Sequence, residues 1–225
     1  RPQIFQQNLP PAEPLDAGGP LDEINVKTAR VRTLLCDLEI AHAVRLTGSL
    51  AFEKDKRLRL TVSSRLGKEL DIGSNDTHFW FWSRRMTPPV LHYARRENLG
   101  ASRLKPILHP DWLTQPLGFR PVAGRLSEVG GNYAASEVVG NLTYVTLIDP
   151  SRRLVVGHYL YRDEVIASVE VKSFQVVAGQ EIPKKMVVAW REEGVRAEVL
   201  LSNPQVNVAI NRWDMPIATD AIEMR

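Results

Sequence analysis

Histidine, cysteine and paired carboxylates are the side chains best suited to acid–base, nucleophilic or metal chemistry near neutral pH. The chain has five histidines, His42, His78, His92, His109 and His158, and one cysteine, Cys36. No two histidines fall at HxH or HxxxH spacing, and no carboxylate accompanies them at metal-ligand spacing. A single cysteine excludes an internal disulfide and a CxxC metal site. Cys36 lies in a helical pattern and reads as a small core side chain. Ser49 and Ser74 follow glycines but lack the GxSxG frame of a strained nucleophile. Glu192 and Glu193 are adjacent, so their side chains diverge before the turn at Gly194. Neither GxGxxG nor GxxxxGK[ST] occurs, which leaves phosphate cradling unsupported. No catalytic residue, metal or cofactor is expected. If the chain were an enzyme, His78, His92, Arg59 and Glu69 would be its first candidates, with His78 and His92 flanking strands that can bring them together.

Arg84-Arg85 and Arg95-Arg96 bracket an aromatic run and could form a basic rim for stacked bases. The formal net charge of the 225 residues is only +3, too small to favour nucleic acid as a partner. Hydrophobic content of 44% and charged content of 24% are those of an ordinary globular chain. No apolar run approaches the roughly 20 residues that cross a bilayer as a helix.

The elements that must position these residues centre on residues 69–85, ELDIGSNDTHFWFWSRR. Leu70 and Ile72 alternate with Glu69 and Asp71, the polar stretch 73–76 turns, and Phe79, Trp80, Phe81 and Trp82 follow without a polar residue between them. Alternation puts Phe79 and Phe81 on one face and Trp80 and Trp82 on the other. A turn at Asn75-Asp76 would pair Ile72 with Phe79 and Leu70 with Phe81. The tryptophans would then share the Glu69/Asp71 face and need a cover: a helix, a folded-back segment, a ligand or a partner.

Residues 1–20 hold five of the chain's 15 prolines and Gly18-Gly19, the composition of a flexible tether. Ile24, Thr28, Val31, Leu35 and Leu38 form one stripe, predicting a helix over 22–38 capped by Asp22 and able to cover the tryptophan face. A period of two then runs through residues 46–53, 57–62 and the hairpin above, resuming at 90–94. Residues 98–120, broken by Pro106, Pro110 and Pro116, read as an insertion with a short helical turn at Trp112, placed to cover an opening. Residues 120–140 give no clear period, with a loop at Gly130-Gly131. Strands are predicted at 141–148, 153–162, 164–172, 173–177, 182–190, 195–202 and 206–210. The expected fold is mainly β with a few helices, a single curled antiparallel sheet or incomplete β-barrel. An N-terminal helix and a helical mid-chain insertion cover it, and one domain spans 21–225.

Four stretches in this order carry a resemblance: LTGSLAFEKDKRLRLTV at 46–62, ELDIGSNDTHFWFW at 69–82, GQEIPKKMVVAW at 179–190 and VRAEVLLSNPQVNVAINRWDMP at 195–216. Together they make the chain resemble the LolA/LolB-like superfamily of bacterial lipoprotein carriers and receptors over residues 22–216. The resemblance implies an incomplete barrel with helices over its mouth and a hydrophobic cavity for lipid or lipoprotein acyl chains, without catalysis as a rule. It also implies a bacterial envelope location, in the periplasm or as an outer-membrane lipoprotein. The Pro-rich start suits a lipid-anchored protein better than a soluble shuttle. The cavity would be lined by Leu50, Phe52, Leu60, Phe79, Trp80, Phe81, Trp82 and Trp112. Expected partners are a hydrophobic ligand or lipid and, on the alternative reading of the chain as an interaction module, envelope proteins.

Overall fold

The computed structural model describes residues 19–54, 57–98, 117, 120–191, 194–217 and 220–224. Helix α1 is Pro20–Ala29. Among the described residues fourteen strands follow: β1 Thr33–Ala41, β2 Arg45–Glu53, β3 Arg57–Ser64, β4 Gly67–Ser74, β5 His78–Ser83, β6 Leu91–Arg95, β7 Arg125–Val129, β8 Asn132–Val139, β9 Leu142–Ile148, β10 Leu154–Tyr161, β11 Glu164–Val177, β12 Gln180–Trp190, β13 Val195–Val206 and β14 Ala221–Glu223. All belong to one open, curled sheet ordered β14-β6-β5-β4-β3-β2-β1-β13-β12-β11-β10-β9-β8-β7. Every neighbouring pair is antiparallel except β14 with β6. Two meanders, β1–β6 and β7–β13, are thus zipped together where β1 meets β13. Register shifts in β1, β3, β10 and β11 mark bulges, which add local twist and let so long a sheet curl.

The predicted helix over 22–38 stops at Ala29, and Leu35, Cys36 and Leu38 lie in β1. The helical stripe competed with an equally good alternation of Leu34, Cys36, Leu38 and Ile40. That alternation wins because β1 has a partner on each side, with Leu34 opposite both Phe52 and Val206. Helix α1 does not cover the tryptophans either. Its Ile24 packs with Val122, Leu126, Ala135, Ile148 and Leu154, at the other end of the sheet. The predicted strands 164–172 and 173–177 are one strand, β11, continuous through a bulge. The strand predicted at 206–210 is absent. Asn207 has a φ of 57° and leaves the ladder there, tied by Oδ1 accepting from Arg32 N at 2.8 Å and Nδ2 donating to Arg30 O at 3.0 Å. The unclear stretch 120–140 contains the β7–β8 hairpin with its Gly130-Gly131 turn, both glycines at positive φ. Residues 1–18 of the tether, the Trp112 turn and most of the 98–120 insertion lie outside the described residues, while Gly19 and Pro20, assigned to the tether, cap and open α1. No helix among the described residues is long and apolar enough to cross a membrane.

Candidate functional site

Period-two alternation puts one set of side chains on an inner face, where the largest apolar cluster sits. One cross-strand row runs Val206, Leu34, Phe52, Leu58, Ser74, Phe79, Ala94. The next runs Cys36, Leu50, Leu60, Ile72, Phe81, His92. Tyr144, Tyr159, Val169, Ile182, Val188 and Leu201 extend the cluster across the second meander. Ile40, Leu46, Leu70, Phe81, Leu142, Ile166 and Trp190 pack against it only half-buried. All seven lie in the halves of their strands nearer the β1–β2, β3–β4, β8–β9 and β10–β11 turns, so one end of the inner face keeps an apolar rim. At the opposite end a pocket of about 230 Å3 opens between α1, β10 and the β11–β12 turn. Its floor is Val31, Leu117, Leu154, Phe174 and Ile182, and Lys27, Arg30, Arg152 and Arg153 line it as well.

Of the residues expected to line a cavity, Leu50, Phe52, Leu60 and Phe79 are buried together on the inner face, with Phe81 half-buried beside them. Trp80 and Trp82 are on the outer face, and Trp112 lies outside the described residues. The β4–β5 register is two residues from the expected one, with Ile72 opposite Phe81 and Leu70 opposite Ser83. A shift of two keeps every side chain on its expected face. The β4–β5 turn is closed by Asn75, whose Oδ1 accepts from the backbone N–H groups of Thr77 and His78 at 3.0 and 2.8 Å.

On the outer face Trp80 is fully buried. Its Nε1 donates to Asp71 Oδ1 at 3.1 Å, the Arg59 guanidinium lies 5.2 Å from the ring centroid, and the ring lies across Gly73. Asp71 Oδ2 accepts from Arg59 Nη2 and Lys68 Nζ, each at 2.9 Å. The cover is a folded-back segment, residues 208–217. Arg59 Nη1 donates to Asp214 O at 2.5 Å, Asn75 Nδ2 donates to Trp213 O at 3.1 Å, and Arg57 lies over the Trp213 ring at 6.0 Å. The chain then joins the sheet edge as β14, beside β6. Trp82 is half-buried, its Nε1 donating to Pro89 O at 2.9 Å.

The residues an enzyme would use do not converge. His78 and His92 are on opposite faces, with His78 level with Arg95 and His92 level with Phe81. Glu69 is on the outer face, accepting from Ser64 Oγ at 2.6 Å, and Arg59 is held by Asp71 and Asp214. The arginine pairs form no single rim, because Arg84-Arg85 follow β5 at one end of the β5–β6 hairpin and Arg95-Arg96 end β6 at the other. Burial, and then the neighbouring Asp37 carboxylate, push the Cys36 thiol up to about 12, so the buried sulfur stays protonated. Burial lowers the His158 pKa. Among the described residues no group of three or more His, Cys, Asp or Glu could hold a metal ion.

The pocket cations are functional candidates that the sequence reading did not single out. Arg152 falls between the strands predicted at 141–148 and 153–162, and nothing in the sequence links it to Arg30, more than a hundred positions away in the chain.

No protein-family model matches the chain, and no curated protein does. Solved structures do. An outer-membrane lipoprotein-sorting protein domain from Vibrio parahaemolyticus superposes with a TM-score of 0.52 at 8% identity, over 85% of this chain and 94% of that one. A LolA superfamily protein from Nitrosomonas europaea gives 0.47 at 11% identity, over 84% and 94%. A DUF1329 family protein from Desulfovibrio piger gives 0.43 at 13% identity, over 85% and 95%. The chain has the fold of the Vibrio domain, which it matches with a TM-score above 0.5.

Proposed function

We propose that the chain is an exported bacterial envelope protein that holds a hydrophobic ligand, a lipid or lipoprotein acyl chain, against the inner face of its sheet and performs no chemistry on it. The observation that carries this reading is the inner face itself. Strands from both meanders give it one continuous apolar surface, with a half-buried rim at one end and an open pocket at the other. Burying an apolar ligand there would contribute roughly 25 cal/mol for each Å2 removed from water. The description of the Vibrio relative as a lipoprotein-sorting domain supports an envelope setting. Scattered titratable residues support a binding role over catalysis. At about 230 Å3 the pocket is smaller than the roughly 300–1,000 Å3 of ordinary ligand sites. A long chain would therefore have to part side chains of the cluster.

Native mass spectrometry of protein purified from its own host tests the reading, with a co-purifying lipid expected. Lipid-free protein that also fails to displace a fluorescent fatty acid would overturn it. A co-purifying envelope protein in place of lipid would favour the interaction-module alternative.

A further inference from the structure

The pocket under α1 has a lip whose charge the apolar-ligand reading does not use. Four cations, Lys27, Arg30, Arg152 and Arg153, line it against one carboxylate, Glu181. Glu23 and Asp149 pair with two of them from outside the lining, so four cations meet three carboxylates and the excess positive charge sits on the exposed Lys27 and Arg30. Two of the four are fixed in place. Arg152 Nε donates to Glu23 Oε2 at 2.8 Å, and its guanidinium lies over the Tyr133 ring at 4.8 Å. Arg153 pairs with Asp149 at 2.7 Å and Glu181 at 3.6 Å, and lies over the Phe174 ring at 5.0 Å. The other two are exposed. Lys27 Nζ donates to Ser151 O at 3.1 Å, and Arg30 is in no ion pair among the described residues. Behind this lip the floor is aliphatic and aromatic.

A cationic lip over an apolar floor is complementary to an amphiphile, its head in the lip and its tail below. We propose that the pocket selects a single-chain amphiphile with an anionic head, a carboxylate or a phosphate monoester, over neutral or cationic ones of the same tail. The inference rests on the apolar-ligand reading above and names the class of ligand. The C-terminal end of α1, with its partial negative charge of about half a unit, faces the same lip. The four cations exceed the three carboxylates Glu23, Asp149 and Glu181 by one charge, which still outweighs it, and the ion pairs leave Lys27 and Arg30 able to turn toward a head group. The size of the pocket suits one short chain, not two.

Isothermal titration of the whole chain with decanoate, decyl phosphate, decanol, decyltrimethylammonium and inorganic phosphate tests the proposal. Decanoate and decyl phosphate are expected to bind at least ten-fold tighter than decanol. That preference is expected to weaken with added salt and to disappear in the double variant Lys27→Glu, Arg30→Glu, whose exposed positions leave folding intact. Decanol binding is expected to be unchanged in the variant. Equal affinity for decanol and decanoate would overturn the selection by charge and leave the apolar-ligand reading standing. A preference that survives in the double variant would place the head elsewhere and overturn the assignment to this lip. Inorganic phosphate binding as tightly as decyl phosphate would overturn the role of the tail. Failure of every tailed ligand to bind would overturn both readings.

Discussion

Asp71 is 1% exposed and carries a charge that burial alone would make costly. Its two oxygens accept from Trp80, Arg59 and Lys68, so the charge is paired and hydrogen-bonded. Asp71→Asn keeps the shape but leaves Arg59 facing a neutral amide, and a loss of about 3 kcal/mol is expected by urea denaturation. Lys68→Met should cost under about 1 kcal/mol, because that side chain is 47% exposed and water screens the pair. Equal losses from the two would refute this division of roles. Gly73 is as constrained as Asp71. A Cβ there would stand 2.1 Å from Trp80 Cζ2, and the ring is sealed under Arg59 and the folded-back segment. Gly73→Ala should destabilise by about 1–3 kcal/mol. Cys36 gives a pH dependence. Its thiol titrates near 9.0 when free and at about 12 in the fold, so the folded state holds the proton more tightly. The stability this contributes is fully present below pH 9 and falls as pH rises from 9 towards 12. A Cys36→Ala variant should lose stability less steeply over that window, and the native thiol should resist alkylation at pH 8.

At the scale of elements, the segment after β13 decides whether the aromatic hairpin stays dry. Trp213 is buried, and β14 adds backbone hydrogen bonds at the β6 edge, including Met224 N to Tyr93 O at 2.7 Å. Deleting residues 208–225 should expose Trp80 and free the edge of β6 for pairing with other chains. Faster amide exchange over Leu91–Arg95 and stronger acrylamide quenching, a gain absent in a Trp80→Phe background, are the expected signs. Unchanged exchange at β6 would show that the segment is not its cover. That a cover was needed was legible, because four aromatics in a row cannot all face one core. Which element supplied it was not. Residues 211–217 have no period, and their hold on the sheet runs through backbone oxygens of Trp213 and Asp214, which no side-chain pattern reveals. Residues 22–38 failed for a different reason. Leu34, Cys36, Leu38 and Ile40 satisfy period two while Ile24, Thr28, Val31, Leu35 and Leu38 satisfy the helical period, and only pairing with distant Val206 and nearby Phe52 separates them.

For the molecule as a whole, alternation put Leu50 with Phe52 on one face of β2 and Phe79 with Phe81 on one face of β5, and the pairing of β2 to β5 brings those faces onto the same side of the sheet. The pocket was beyond such reasoning, since it is assembled from α1, the β9–β10 turn and the β11–β12 turn, and no side-chain pattern says that α1 docks beside those turns. That assembly makes ligand binding and folding one equilibrium, because the unfolded chain has no such pocket. A ligand binding only the folded state at 100 times its Kd should raise stability by about 2.7 kcal/mol. For a chain of this length that corresponds to roughly 5–10 °C in melting temperature. Decanoate should therefore raise the melting temperature by that amount when present well above its Kd. Leu154→Arg, which fills the pocket floor with a charged side chain, should abolish the shift. If that substitution lowers the starting melting temperature, the ligand-induced increment remains the quantity to compare. An undiminished increment in the variant would mean that the tail lies elsewhere on the inner face. The same titration on Leu46→Arg, at the half-buried rim of the opposite end, would then locate it.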